Sequence, residues 1–161
     1  MKPVLKWTLA GAALAFVALQ LTNPARTNPP AAPGRDLLAT NAPPPDVAAL
    51  LRNACYDCHS GETKWPWYSR VAPVSWWVAG HVRDGRERLN VSDWPHDDPQ
   101  RARKKWNRIA DEVRDGSMPL PNYTWAHPAA RLTAAQRGRI AGWAAQEAGR
   151  LQTGNAPGAE P

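Results

Sequence analysis

An all-α fold is predicted for this 161-residue chain. No stretch alternates apolar and polar residues in the two-residue period of a strand; several windows repeat apolar residues at i, i+3, i+4 and i+7; and prolines, glycines and capping residues close those windows off. The first element is a charge-free run from Trp7 to Leu21 behind Lys2 and Lys6, the layout of a signal peptide or a signal anchor. The run falls short of a ~30 Å hydrocarbon core, which speaks for a signal peptide. Neither Ala18-Leu19-Gln20 nor Asn23-Pro24-Ala25 makes a small-x-small cleavage site, and this favours residues 1–21 as a retained anchor with the lysines inside. Residues 22–45 hold seven prolines (24, 29, 30, 33, 43, 44, 45) and are expected to form an extended tether that spaces a domain off the membrane. One folded domain is expected over 46–152 and a disordered tail over 153–161.

Inside that domain, Pro45 and Asp46 open a helix with Val47, Leu50 and Leu51 on one face, running to Ala54. Pro73 opens a second from Val74 to about Leu89. A third runs from about Gln100 to Asp115 with Trp106, Ile109, Ala110 and Val113 as its buried stripe, and stops at Gly116. The capping box Thr133-Ala134-Ala135-Gln136 announces the last, to about Leu151, with Ile140, Trp143, Ala144, Ala148 and Leu151 inward. Gly138 and Gly142 make a small-residue notch on it, expected to receive the helix that leads into Cys55. The eight tryptophans beyond the anchor are expected to be mostly core.

Between the first two helices lies Cys55-Tyr56-Asp57-Cys58-His59, the C-x-x-C-H attachment signature of c-type haem. Two thiols at this spacing each add to one vinyl group of the porphyrin, and the next residue is the proximal iron ligand. No other cysteine exists to complete a zinc site, and His81, His96 and His127 stand singly. A thioredoxin-like redox pair would want a strand before the motif, where this chain has a helix. Lys64-Trp65-Pro66-Trp67-Tyr68-Ser69-Arg70 reads as an ordered loop against something large and flat, and Trp65, Trp67, Tyr68 and Arg70 are candidate donors to a haem propionate.

Directly after the Gly116 stop comes Ser117-Met118-Pro119-Leu120, and Met118 is the only methionine besides the initiator. Methionine ordinarily fills core gaps. Beside C-x-x-C-H, a thioether pinned by proline after a helix is a candidate sixth iron ligand. Of the rival histidines, His81 within a helix is the best placed, and His96 and His127 read as loop or surface residues.

The formal charge of +6 does not point to nucleic acid. Of the 20 basic residues, Lys2, Lys6 and Arg26 lie in the anchor and its flank, and the remaining 17 face 14 acidic ones. Arg101, Arg103, Lys104, Lys105 and Arg108 cluster at the start of the third helix, as a solvated face or a docking patch for an acidic partner or lipid headgroups.

The four helices, the C-x-x-C-H at the end of the first and the late methionine loop resemble class I cytochrome c architecture. More specifically, Cys55–Ser60, Lys64–Ser69, Ala72–Trp76, Gly85-Arg86-Glu87, Leu89-Asn90, Ser92-Asp93-Trp94 and Met118-Pro119-Leu120 are similar to the bacterial haem-binding domain family, over about Asp46 to Trp143. The resemblance implies one haem c on Cys55 and Cys58, His59 as proximal ligand and Met118 as distal ligand. The expected protein is a periplasm-facing, inner-membrane-tethered electron carrier serving redox partner proteins. The alternatives are a haem sensor or ligand binder with a labile distal site, or, last, a peroxidase using His81 near Arg83; an enzyme is not expected.

Overall fold

The computed structural model describes residues 3–31 and 33–153; the expected tail beyond Thr153 lies outside the described residues. Every element among them is helical. In chain order they are α1 (Pro3–Gln20), α2 (Leu37–Asn41), α3 (Pro45–Ala54), α4 (Tyr56–His59), α5 (Val74–Arg88), α6 (Pro99–Arg114), α7 (Pro121–Ala126) and α8 (Ala134–Gln152), with 3-10 turns at Trp67–Arg70 and Pro128–Ala130.

The start signals act as the sequence implies. The Thr133 hydroxyl accepts from the Gln136 amide (3.2 Å) while the Gln136 side chain accepts from the Thr133 amide (2.8 Å), so two otherwise orphaned donors of α8 are satisfied. Asp98 caps α6 by accepting from the Arg101 amide (2.9 Å), ahead of Pro99 at the first helical position. Its stripe of Trp106, Ile109, Ala110 and Val113 is buried, as are Ile140, Trp143, Ala144 and Ala148 of α8, and these two helices form the main packed pair. Val47 and Leu51 of α3 close the core, and Asp46 is joined to Arg139 of α8 at 2.7 Å.

Three indoles form the centre. Trp106 lies 4.3 Å from Trp94 and 4.8 Å from Trp143, centroid to centroid, and is itself fully buried. At ~25 cal/mol per Å² and ~150–250 Å² per ring, each contributes roughly 4–6 kcal/mol as an upper bound. The expectation that most tryptophans are core does not hold. Trp67, Trp76, Trp77 and Trp125 are exposed, and for all of these but Trp76 the reason lies in the cleft described below. The Gly138–Gly142 notch also faces solvent, where an added Cβ would meet nothing, so it does not receive α3.

The proline-rich stretch differs most from its reading. Ahead of α3 and outside α2 its described residues form no regular element, but the stretch is laid on the domain and is no free spacer. Within it, Asp36 caps α2 by accepting from the Leu38 amide (2.9 Å), and Leu37 is 1% exposed, its own amide donating to the Val91 carbonyl (2.8 Å). The Arg86 guanidinium reaches Thr27 O (2.9 Å) and the Asn28 side chain (3.1 Å), and the Trp65 indole N–H donates to Asn28 (3.1 Å). These anchors are single residues with no periodicity.

Candidate haem site

The helix α3 delivers Cys55, and the short α4 then carries Tyr56 to His59, so the whole C-x-x-C-H motif sits in one helical turn. Its two intervening residues act as clamps. The Tyr56 hydroxyl donates to both carboxylate oxygens of Asp36 (3.0 Å each), and Asp57 accepts from the Tyr123 hydroxyl of α7 (2.7 Å) and the Lys64 amide (3.1 Å). The motif is thus tied to the stretch before it and to the segment after Met118.

His59 has its ring orientation fixed. Its Nδ1 lies 2.9 Å from both the Gly85 and the Leu89 carbonyl oxygens at the end of α5. Carbonyls only accept, so Nδ1 carries the proton and Nε2 keeps its lone pair for a metal. Burial holds the imidazole below its usual pKa; the carbonyls of Leu89 and Gly85 act against that, and Lys105 and Arg108 act with it. Burial thus favours the neutral imidazole, the form that could bind a metal.

Glycine at position 85 makes this geometry possible. A Cβ there would stand 2.6 Å from the Cys58 carbonyl oxygen, so only glycine lets α5 lie against the motif backbone.

The cysteines are free thiols, both half-buried. Burial pushes Cys55 up to about 12 and Cys58 up to about 11, with the neighbouring Cys58 and Asp57 respectively adding to the rise. Both stay protonated at neutral pH, whereas a redox-active pair needs a depressed thiol pKa. Among the described residues, no group of three or more His, Cys, Asp or Glu is placed to hold a metal ion by itself.

Met118 arrives by a tight reversal. Gly116 takes φ +82° after α6, Ser117 donates to the Asp115 carboxylate (2.8 Å), and the Met118 amide returns to the Glu112 carbonyl (2.9 Å). This places Met118 in the wall of the same cleft as His59.

That cleft has three adjoining parts, which share lining residues. A cavity of about 220 Å³ is lined by His59, Cys58, Met118, His81 and Tyr123; one of about 130 Å³ by Cys55, His59, Met118, Leu89 and Ile109; and the largest, about 620 Å³, by Cys58, Trp67, Tyr68, Trp77, Val78 and Trp125 among others. The largest part does not touch His59 or Met118, which both line the two smaller parts, and the apolar body of the cleft lies beyond them past Cys58. Three of the exposed indoles, Trp67, Trp77 and Trp125, are its walls.

The eight candidate residues therefore divide. Cys55, Cys58, His59 and Met118 converge on the cleft, and Trp67 and Tyr68 line it. Trp65 and Arg70 do not: the Trp65 N–H is committed to Asn28, and Arg70 is exposed. Other residues join that carried no motif. Tyr123 stacks on His127 at 4.1 Å and 19°, and Tyr68 OH stands 3.5 Å from His127 Nε2, so His127 belongs to the cleft wall and not to the open surface. Arg88, Lys105 and Arg108 line the smallest part, where the basic cluster of α6 meets the cleft and gives it a cationic rim. Only the spacing of Lys105 and Arg108 beside the inward Ile109 signalled this.

A neutral histidine with a free Nε2, two protonated thiols at vinyl spacing, a thioether in the same wall, an apolar slot and a cationic rim fit a haem group. The class is a small all-helical domain with an apolar cleft beside its C-x-x-C-H motif. The chain belongs to the haem-binding domain family, whose model matches residues 14–146. That match starts inside α1 and includes the stretch from Thr22 to Pro45, in accord with the packing of that stretch on the domain. No curated protein and no solved structure gives a significant match.

Proposed function

We propose that this haem-binding domain is a membrane-tethered monohaem c-type cytochrome that carries single electrons on the periplasmic side of the bacterial inner membrane. Cys55 and Cys58 would hold the haem as thioethers, His59 would be the proximal ligand and Met118 the distal one. The observation that carries the reading is the pair of carbonyls, Gly85 and Leu89, that fix the His59 tautomer with Nε2 free, in a cleft whose wall also holds Met118. When bound, the haem supplies a reversible one-electron iron couple. The chain's part is to orient His59 through its Nδ1–H, present the Met118 sulfur, which favours ferrous iron relative to histidine, and exclude water with Trp77, Val78 and Val82. A helix α1 long and apolar enough to cross a membrane, with no buried residue, supports the tether.

The ferric optical spectrum of the purified protein tests this reading. A weak far-red sulfur-to-iron band is expected, and its absence would remove Met118 from the iron.

One observation favours a second reading, a haem sensor or ligand binder with an exchangeable distal site. His81 shares the cleft wall with Met118, and its Nδ1 is 2.9 Å from the Trp77 carbonyl, which leaves its Nε2 free as well. Two competing donors for one axial position are what a switchable site needs.

A further inference from the structure

The helix α1 is hydrogen-bonded to the domain at its exit. The side-chain amide of Gln20, the last residue of α1, grips the backbone of the buried Ala72, donating to its carbonyl (3.3 Å) and accepting from its amide (2.9 Å). The Trp76 indole N–H donates to the Thr22 carbonyl (3.0 Å), and Arg26 donates to the Ser69 carbonyl (3.3 Å). No slack remains between membrane helix and domain over these residues.

A helix of 18 residues rises about 27 Å, close to the ~30 Å hydrocarbon core. With α1 in a bilayer, Gln20 lies where hydrocarbon gives way to headgroups, and its contacts hold Ser69 to Trp76 at that level. The surface there has interfacial composition. Trp67 is 76% exposed and Trp76 40%, and Arg70 is exposed beside them; indoles and cationic side chains are the residues that settle at the headgroup boundary. The cofactor cleft accounts for Trp67, which lines it, but not for Trp76, which does not.

We propose that the domain rests on the bilayer as one body with α1, with Trp67, Trp76 and Arg70 in the lipid headgroup region and the 620 Å³ part of the cleft opening beside the membrane. The occupant of this aromatic face is the lipid interface itself. This rests on reading α1 as a retained membrane helix, and on the haem reading only for what the cleft contains.

The test is photocrosslinking of the full-length holoprotein in phosphatidylethanolamine/phosphatidylglycerol vesicles that carry a phospholipid with a diazirine near its headgroup, the adducts being mapped by mass spectrometry. Adducts are expected on the peptides carrying Trp67 and Trp76 as well as on α1. The double variant Gln20→Ala/Trp76→Phe should lose the domain adducts and keep those on α1. Adducts confined to α1 in the unaltered protein would overturn the proposal, as would a mature protein lacking the α1 peptide. The same spectra report whether the Cys55–His59 peptide carries haem, so a failure of the haem reading is seen separately.

Discussion

The His59 ring N–H and the Gly85 carbonyl oxygen are 2.9 Å apart, and the same Gly85 has no room for a Cβ because the Cys58 carbonyl would stand 2.6 Å from it. One residue thus supplies both the acceptor that orients the imidazole and the clearance that brings the acceptor within reach.

Replacing Gly85 with alanine sets two effects against each other. Helix propensity favours alanine by ~1 kcal/mol, whereas forcing a methyl against backbone costs roughly 1–3 kcal/mol. The clash wins because α5 cannot move without withdrawing the carbonyl from His59. Gly85→Ala is expected to lower the melting temperature and the yield of haem-bearing protein. Gly142→Ala, where a Cβ meets nothing, should raise stability by about 0.5–1 kcal/mol. Equal effects at the two positions would contradict the close approach.

For the distal position, Met118→Ala is expected to leave haem covalently attached, lower the reduction potential and admit carbon monoxide. His81→Ala should leave the potential and the far-red band unchanged. If His81→Ala is the variant that shifts the potential, the histidine is the ligand. His59→Ala should give little mature holoprotein in a host with cytochrome c maturation.

Leu37 tests whether the stretch before α3 is part of the folding unit. Truncating a fully buried leucine typically costs about 2–5 kcal/mol, and Leu37 is 1% exposed. Leu37→Ala is expected to lower the urea midpoint by a corresponding amount with an unchanged slope. A midpoint equal to that of the unaltered protein would make the stretch a passive tether after all.

The buried carboxyl of Glu147 gives a pH-dependent prediction far from the cleft. Burial pushes its pKa above the ordinary value, and Arg150, 2.7 Å away, pulls it back only in part. A carboxyl raised in the folded state adds stability that is complete below its unfolded pKa of 4.5 and is lost as pH rises through the folded value. The melting temperature of Glu147→Gln relative to the unaltered protein should therefore move upward from pH 4 to pH 7. A difference that moves downward would mean that the Arg150 pair outweighs burial.

Much of the domain was legible because its signals are local. The C-x-x-C-H spacing, the Thr133 capping box and the stripe of α6 depend on residues within one or two turns, and each reappears in the structure. The stretch before α3 was not legible. Asp36, Leu37 and Asn28 act through partners 20 to 60 positions away, and five helical residues between prolines carry no period. The tryptophans misled for a related reason. Periodicity puts Trp77 on the apolar face of α5 but does not say whether that face meets a protein core or a cofactor slot.

Arg86 has a consequence for timing. Its guanidinium donates to the Ser60 carbonyl (2.7 Å), the Thr27 carbonyl, the Asn28 side chain and the Thr63 hydroxyl (2.8 Å), a knot across segments before and after the attachment motif. A chain delivered N-terminus first presents Cys55 to His59 well before residue 86 emerges. Until it does, neither the knot nor the carbonyls of Gly85 and Leu89 can close over the motif, and on the proposed reading the thiols would stand open for haem to be attached. Arg86 acts as a latch, and its place in the chain makes it late.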